Sequence, residues 1–318
     1  MSTRPVPQLT VRLASWSTES VADWSSFLAS ARVADQAGVD RITVSDHVVF
    51  GEKLDEYGKP EVGGTAGGKQ PTGPDGAWLD PLTTLAVIAG QTKRVRLSTA
   101  IIIAALRRPV TLAKECATLD VLSNGRLDLG VGVGWQREEY EAAGLEFEGR
   151  GHLLDQTLEV CQLLWRETRA TYSGRGLNFR NIHQMPKPLQ KGGVPIWVSG
   201  RINKMTVQRM ARFGAGWIPW GDEAADVITH IPRMKEEVAK IGGDASNAHF
   251  VGELPLVRDS SGEPDLARTM AGLESLLKAG VTDFRTRLVL PTDPGAGVAK
   301  TRALVTAFRK AVGRPVED

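Results

Sequence analysis

The sequence predicts a (β/α)8 barrel, a closed ring of eight parallel strands with a helix after each. Three observations carry this reading. Strand-like and helix-like hydrophobic patterns alternate along the whole chain. Glycine recurs between a helix and the next strand, in Ala37-Gly38-Val39-Asp40, Phe213-Gly214-Ala215-Gly216 and Ala279-Gly280-Val281-Thr282, where a short left-handed αβ turn is needed. The length of 318 residues suits one such barrel with insertions, about 250 residues being typical. Strands alternating with helices imply a parallel sheet covered on both faces. With eight such units, a closed barrel is favoured over an open doubly wound sheet.

The elements follow in order. Leu9 to Trp16 reads as a strand, and Phe27, Leu28, Ala31, Ala34 and Ala37 then recur at helical spacing until Gly38. Arg41 to His47 is the second strand, followed directly by a Gly-rich stretch, 51–79. Asp80 as N-cap and Pro81 at the first helical position open a helix through Leu82, Leu85, Ala86 and Ala89. Val95 to Ala104 is a β-branched third strand. Pro109 opens the next helix, through Leu112, Cys116 and Leu119, which ends at Ser123-Asn124-Gly125. Leu127 to Val133 is the fourth strand. A longer helix carries Leu154, Leu158, Cys161 and Trp165 on its apolar face, and residues 171–193 read as an irregular excursion. Alternation resumes with strand 195–199, helix 204–213, strand 216–220, helix 223–239, strand 248–257, helix 265–279, strand 283–290 and helix 298–312. No boundary divides the chain, so 1–318 is read as a single domain with insertions after strand 2 and between strands 4 and 5. The first insertion falls at the barrel mouth, where long loops serve as lids.

Composition narrows the function. Lys and Arg number 39 against 37 Asp and Glu, giving a net charge of +2 without a charged block, which argues against a nucleic-acid or membrane-surface role. Cys116 and Cys161 lie in apolar helical patterns and read as buried thiols in a reducing compartment. No apolar signal segment opens the sequence, and Ala100 to Leu106 is too short an apolar run for a membrane span. A cytoplasmic protein is the expectation.

In a barrel the reacting groups lie at the C-terminal strand ends. Those ends are Ser15-Trp16, Asp46-His47, Ala100 to Ile103, Gly132 to Trp135, Ser199 to Arg201, Pro219-Trp220, Glu253-Leu254 and Leu290-Pro291. Asp46-His47 is the most reactive pair, because histidine titrates near neutrality and suits proton transfer. The plain alternative is a capping Asp46 and a structural His47. Gly130, Gly132 and Gly134 lack the spacing of a dinucleotide fingerprint and mark a place where another backbone or a flat ligand approaches. No strand end offers the ligands of a metal hydrolase, and Lys204 follows strand 5 rather than lying in it, against a Schiff-base aldolase. What remains is apolar and flat: Trp16, Ala100 to Ile103, Trp135, Pro219 and Trp220. Such a mouth with one acid/base pair suits a planar redox cofactor, although packing alone explains any single tryptophan. Ser199-Gly200-Arg201, with Asn203 and Lys204, is either an anion site at a helix start or an ordinary cap.

Segments of the chain resemble the luciferase-like monooxygenase family, in its coenzyme F420-dependent branch. They are Val44 to His47, Trp78 to Ala86, Arg107 to Val110, Leu119 to Leu127, Leu129 to Trp135 with Glu139-Tyr140, Pro195 to Gly200, and Gly216 to Pro219. Each is weak alone; their order and spacing are specific. The resemblance implies a (β/α)8 barrel with a deazaflavin or flavin laid across the strand ends. Asp46 would support the ring and His47 would stand near its redox centre as acid/base or hydrogen-bond donor. A non-prolyl cis peptide behind the ring would fall at Ala100-Ile101. Gly132 and Gly134 would let the ring approach strand 4, and Ser199, Gly200 and Arg201 would hold its phosphate. Trp16, Trp135 and Trp220 would line the substrate pocket. One departure stands out: the sugar-phosphate dehydrogenases of the family carry a catalytic glutamate where this chain has Trp135. Glu138 and Glu139 are expected on a following helix, outside the ring pocket. The resemblance thus implies an F420-dependent oxidoreductase acting on a small organic molecule. The alternatives are a reduced-FMN monooxygenase served by a separate reductase, and a non-catalytic cofactor-binding barrel. A homodimer is the assembly it implies.

Overall fold

The structure is a computed structural model of the chain and describes residues 5–19, 23–288 and 294–316. Eight parallel strands close on one another: β1 Gln8–Arg12, β2 Arg41–Val44, β3 Arg96–Thr99, β4 Leu127–Gly132, β5 Ile196–Ser199, β6 Gly214–Ile218, β7 His249–Glu253 and β8 Asp283–Arg287. Strand β8 pairs with β1, and β4 with β5, so the ring is complete. The covering helices are α1 Ser25–Ala37, α2 Pro81–Gln91, α3 Pro109–Leu122, α4 Arg150–Arg166, α5 Lys204–Phe213, α6 Val227–Lys240, α7 Leu273–Ala279 and α8 Pro294–Ala311. Local chemistry places their starts. Asp80 accepts from Thr83 N at 2.8 Å ahead of Pro81, and Asn203 accepts from Thr206 N at 3.0 Å at the head of α5. Gly38 and Gly280 end α1 and α7 at φ +85° and +101°.

The strands divide their residues between two shells. Outward side chains such as Phe284, which meets Phe308 of α8 with ring centroids 5.4 Å apart, join the apolar layer under the helices. The inward face at the strand starts is charged. Arg41 Nε donates to Asp128 at 2.9 Å, and Arg96 holds the same carboxylate with two bonds of 2.7 Å. Arg41 also pairs with Asp283, which takes further bonds from Arg285 Nε (2.8 Å) and Thr10 Oγ1 (2.7 Å). The Arg41 guanidinium lies 4.4 Å over Trp197, whose other neighbour is the stacked ring of His249 at 5.0 Å. Buried ions persist only when paired in this way.

Several element boundaries depart from the periodicity. Strand β3 stops at Thr99, the Ala100-Ile101 peptide that follows is cis, and Ile102 and Ile103 then pair with Val131 and Gly132 of β4. The excursion expected to be irregular contains a hairpin, Ala170–Gly174 against Leu177–Ile182. The helix expected over 223–239 divides into Asp222–Ala225 and α6, and the one over 265–279 divides at Gly272 into Leu266–Ala271 and α7. Leu290 and Pro291 lie outside the described residues. Within 51–79, two 3-10 turns (Leu54–Gly58 and Pro60–Val62) precede Ala77–Trp78, which pairs antiparallel with Trp16–Ser17. Among the described residues no helix is long and apolar enough to cross a membrane. Both cysteines are free and buried, and burial pushes their thiols up.

Candidate active site

The chain past β2 holds the cis segment in place. Asp46 is buried, and its Oδ2 accepts from Ile103 N (2.8 Å) and Arg107 Nη1 (2.6 Å), while Oδ1 accepts from Arg107 Nη2 (3.0 Å). Arg107 reaches on to the α2 cap, Asp80, at 3.1 Å. Burial disfavours the Arg107 charge, yet Asp46 and Asp80 together raise its pKa above the ordinary value. Ala100 N donates to Val44 O at 2.7 Å. Asp46 is therefore a fully engaged carboxylate that fixes the ribbon 99–103, with both oxygens committed to charge-assisted bonds.

The glycines of β4 serve that ribbon from the other side. A Cβ on Gly130 would stand 2.0 Å from Thr99 O, one on Gly132 2.9 Å from Ile101 Cδ1, and one on Gly134 3.2 Å from Ile103 Cγ2. Alternate positions on β4 are empty because alternate positions on the ribbon fill them. The close approach read from Gly132 and Gly134 is made by the chain's own Ile101 and Ile103. Ala100 and Ile101 are half-buried, whereas Ile102 to Ala105 are buried, so the cis peptide is the part of this ribbon that faces the mouth.

His47 lies beside that shelf, and its partner is the residue that sequence reasoning placed elsewhere. Glu139 does sit on the following helix, Arg137–Ala142, but that helix turns it inward against His47. Its Oε1 lies 3.2 Å from His47 Nδ1 and accepts from Val48 N at 2.8 Å, its side chain is 0% exposed, and Oε2 has no hydrogen-bond partner among the described residues. An ionised carboxylate only accepts, so the network assigns the proton to Nδ1 and the lone pair to Nε2. Gln70 Nε2, 3.2 Å away, donates to that lone pair. The signal that could have found Glu139 is its place three residues into a short helix directly after a strand end.

The three predicted tryptophans are brought into one run of ring contacts. Trp16 stacks on Trp78 at 5.9 Å, and Trp78 meets His47 edge-on at 4.8 Å. His47 meets Trp135 at 6.0 Å, Trp135 meets Tyr57 at 5.4 Å, and Tyr57 meets Trp220 at 5.8 Å. Two of the six rings, Tyr57 and Trp78, come from residues 51–79, which lie over the strand ends. Trp220 Nε1 donates to Gly63 O (3.0 Å) and Gly64 O (3.2 Å), Arg150 to Val62 O (3.1 Å), and Arg201 to Gly64 O (3.4 Å). Trp135 Nε1 is buried without a hydrogen-bond partner among the described residues.

The turn after β5 has Gly200 at φ +145°, a conformation that favours glycine. Here the chain supplies some of its own acceptors: Glu223 accepts from Ile202 N at 3.0 Å, and Asn203 caps α5. Arg201 Nε remains buried without a hydrogen-bond partner among the described residues. Across the mouth, Arg12, Glu253 and Arg287 end β1, β7 and β8, with Arg12 paired to Glu253. Neither arginine was singled out from the sequence. The available signal was a charge every second residue, Arg285 and Arg287, in a strand expected to be apolar.

A closed parallel barrel with an imidazole–carboxylate pair past its strand ends defines an α/β barrel with a candidate active site at its mouth. The chain belongs to the luciferase-like monooxygenase family, whose model matches residues 8–279. Among curated relatives, an uncharacterized protein of Mycobacterium tuberculosis is 36% identical over 140 residues, covering 44% of this chain and 49% of the relative. The oxygenase component of a flavin-dependent trigonelline monooxygenase from Acinetobacter baylyi is 35% identical over 124 residues, 38% of this chain and 34% of that protein. Those matches span about half or less of the relatives' length. Among solved structures, an F420-dependent secondary alcohol dehydrogenase superposes with a TM-score of 0.71 at 17% identity, covering 96% of this chain and 99% of that one. A monooxygenase from Streptomyces bottropensis gives 0.70 at 19%, covering 95% and 98%. These likenesses are of fold.

Proposed function

We propose that this protein is an F420-dependent oxidoreductase that moves a hydride between the deazaflavin and a small organic substrate. The observation that carries the reading is the His47–Glu139 pair, with Nδ1 and Oε1 3.2 Å apart, at the strand ends where Ala100 and Ile101 are half-buried. The residues fit such a cofactor: the shelf is flat and apolar, and Trp135 Nε1 and Arg201 Nε are buried donors without partners. When bound, the deazaflavin would supply the hydride chemistry. Ala100 and Ile101, with Gly132 and Gly134 behind them, would support the ring, and Asp46 would hold that support rigid. Ser199, Gly200 and Arg201 would hold the phosphate. His47 would give or take a proton at Nε2, and Glu139 would fix its tautomer and stabilise the imidazolium. Trp16, Trp135 and Trp220 would line the substrate pocket. The 51–79 segment would act as a lid that excludes water, and its Gln70 would leave Nε2 when it opens. A single-domain cytoplasmic homodimer is the form proposed.

A second reading is a reduced-FMN monooxygenase fed by a separate reductase, and the trigonelline monooxygenase relative favours it. Anaerobic fluorescence titration with F420 and with FMN separates the two. Tight F420 binding, weakened when Ala100 or Ile101 is replaced by Asp, supports the first reading. Tight FMN binding with oxygen-dependent turnover overturns it in favour of the second.

A further inference from the structure

The corner of the mouth where β8 meets β1 carries more positive than negative charge among the described residues. Arg12 and Arg287 are partners in the register of β1 and β8 and are the last residues of both strands. By strand alternation they share the inward face with Thr10 and with Asp283 and Arg285. Asp283 is committed to Arg41, Arg285 and Thr10 in the layer below. At the level of the mouth the counter-charge among the described residues is Glu253, which pairs with Arg12. Arg287 is exposed and has no hydrogen-bond or ion-pair partner among the described residues. Arg285 Nη2, in a side chain only 2% exposed, is buried without an acceptor among the described residues.

From these positions we infer that Arg12 and Arg287 form a recognition corner for a small carboxylate-type anion carried by the substrate. The inference rests on the reading of this mouth as the active site and adds the substrate's charge to it. Two guanidiniums side by side present paired donors in the geometry that a carboxylate or phosphate accepts. The lid brings Tyr57 to the same corner, near enough to feel the charges of both Arg12 and Arg287. Its ring meets Trp135 and Trp220 on the other side. An anionic end at the arginines would leave the remainder of the substrate against these rings, on the way to His47. Independently of that geometry, the pKa of Arg12 is pressed down to about 10, first by burial and then by the neighbouring Arg285 and Arg287.

The test uses calorimetric titration of the full chain with benzoate and with benzyl alcohol, which share a ring and differ in charge. Benzoate is expected to bind at least about tenfold tighter, the scale of charge-assisted bonds. Arg287→Gln should lose about that factor for benzoate and leave benzyl alcohol unchanged. Arg287 is exposed, so the folded state is retained and an unchanged melting temperature confirms it; Arg287→Lys should restore part of the binding. Equal affinity for the two probes, or benzoate binding indifferent to both Arg287→Gln and Arg12→Gln, overturns the inference. Repetition with saturating F420 or FMN identifies the source of the anion. Benzoate that still binds supports a substrate corner. Benzoate displaced by a cofactor whose own binding weakens in Arg287→Gln assigns the corner to a cofactor phosphate and overturns the substrate role. Arg-dependent benzoate binding in a protein that takes up neither cofactor sinks the proposed function and leaves this inference standing.

Discussion

Glu139 has no exposed side-chain surface, and one of its oxygens bonds both His47 Nδ1 and the Val48 amide. A carboxylate in that position decides which imidazole nitrogen carries the proton. Glu139→Gln should therefore mix the His47 tautomers, which imidazole nitrogen NMR reads directly, while the fold stays intact. Turnover should drop by about tenfold or more, and His47→Ala should cost roughly a hundredfold or more. An unchanged tautomer in Glu139→Gln would remove the positioning role. Glycines on β4 offer a contrast in size. Gly130→Ala sets a methyl 2.0 Å from a backbone oxygen that cannot yield, whereas Gly132→Ala meets the flexible end of Ile101 at 2.9 Å. The first should cost about 3 kcal/mol or more and the second about 1 kcal/mol, read from urea midpoints. The glycine spacing was legible in the sequence, but what fills the space was not, because the cis ribbon comes from another strand.

At the scale of elements, the 51–79 segment is tied over the mouth by four hydrogen bonds, from Trp220, Arg201 and Arg150. Trp220 supplies two of them through a single indole N–H. Trp220→Phe keeps the ring contact with Tyr57 and removes both bonds, so amides of residues 57–68 should exchange about fivefold to tenfold faster, with barrel amides unchanged. Protection of 57–68 equal to that of the native chain would mean that the ring contacts alone hold the segment. Its position after strand 2 was legible from the glycines and from the barrel rule. Its anchors were not, since Gly63 and Gly64 act through backbone carbonyls that a sequence does not distinguish. The hairpin around 171–193 was missed for a related reason: only Ala170 of its first strand is buried and no residue of its second is, so neither carries the buried face that marks a core strand.

At the scale of the molecule, the charged layer inside the barrel sets the response to acid. The pKa of His249 is lowered to about 4, first by burial and then by Arg41. An unfolded histidine titrates near 6.5, so between about 6.5 and 4 the unfolded chain binds a proton that the native one refuses. Stability is then lost as pH falls through that window. His249→Gln should flatten this part of a stability profile measured by chemical denaturation; an unaltered slope would contradict it. Asp128 and Asp283 are also lowered, against the effect of burial, chiefly by Arg41 with Arg96 and Arg285. Their contribution is present above about 3.9 and is lost below it as pH falls through their native values, so unfolding in acid should show a second, lower stage that Asp283→Asn shifts. Removing one partner from this buried group should cost about 3–5 kcal/mol at neutral pH.

The sequence by itself determined the barrel, the order of its elements, the strand end that carries Asp46 and His47, and the family. It could do so because the outer faces of strands and the inner faces of helices are apolar at fixed periods, and because caps and αβ turns are local. Tertiary structure alone decided which side chains meet at the mouth: Glu139 with His47, Asp46 with Arg107, Tyr57 with the tryptophans, and Arg12 beside Arg287. Each of those pairs joins residues on different elements, and ring closure brings β1 beside β8 across almost the whole length of the chain. A repeat pattern fixes which residues face inward but not which inward residues become neighbours. That choice depends on register, and register is a property of the closed barrel.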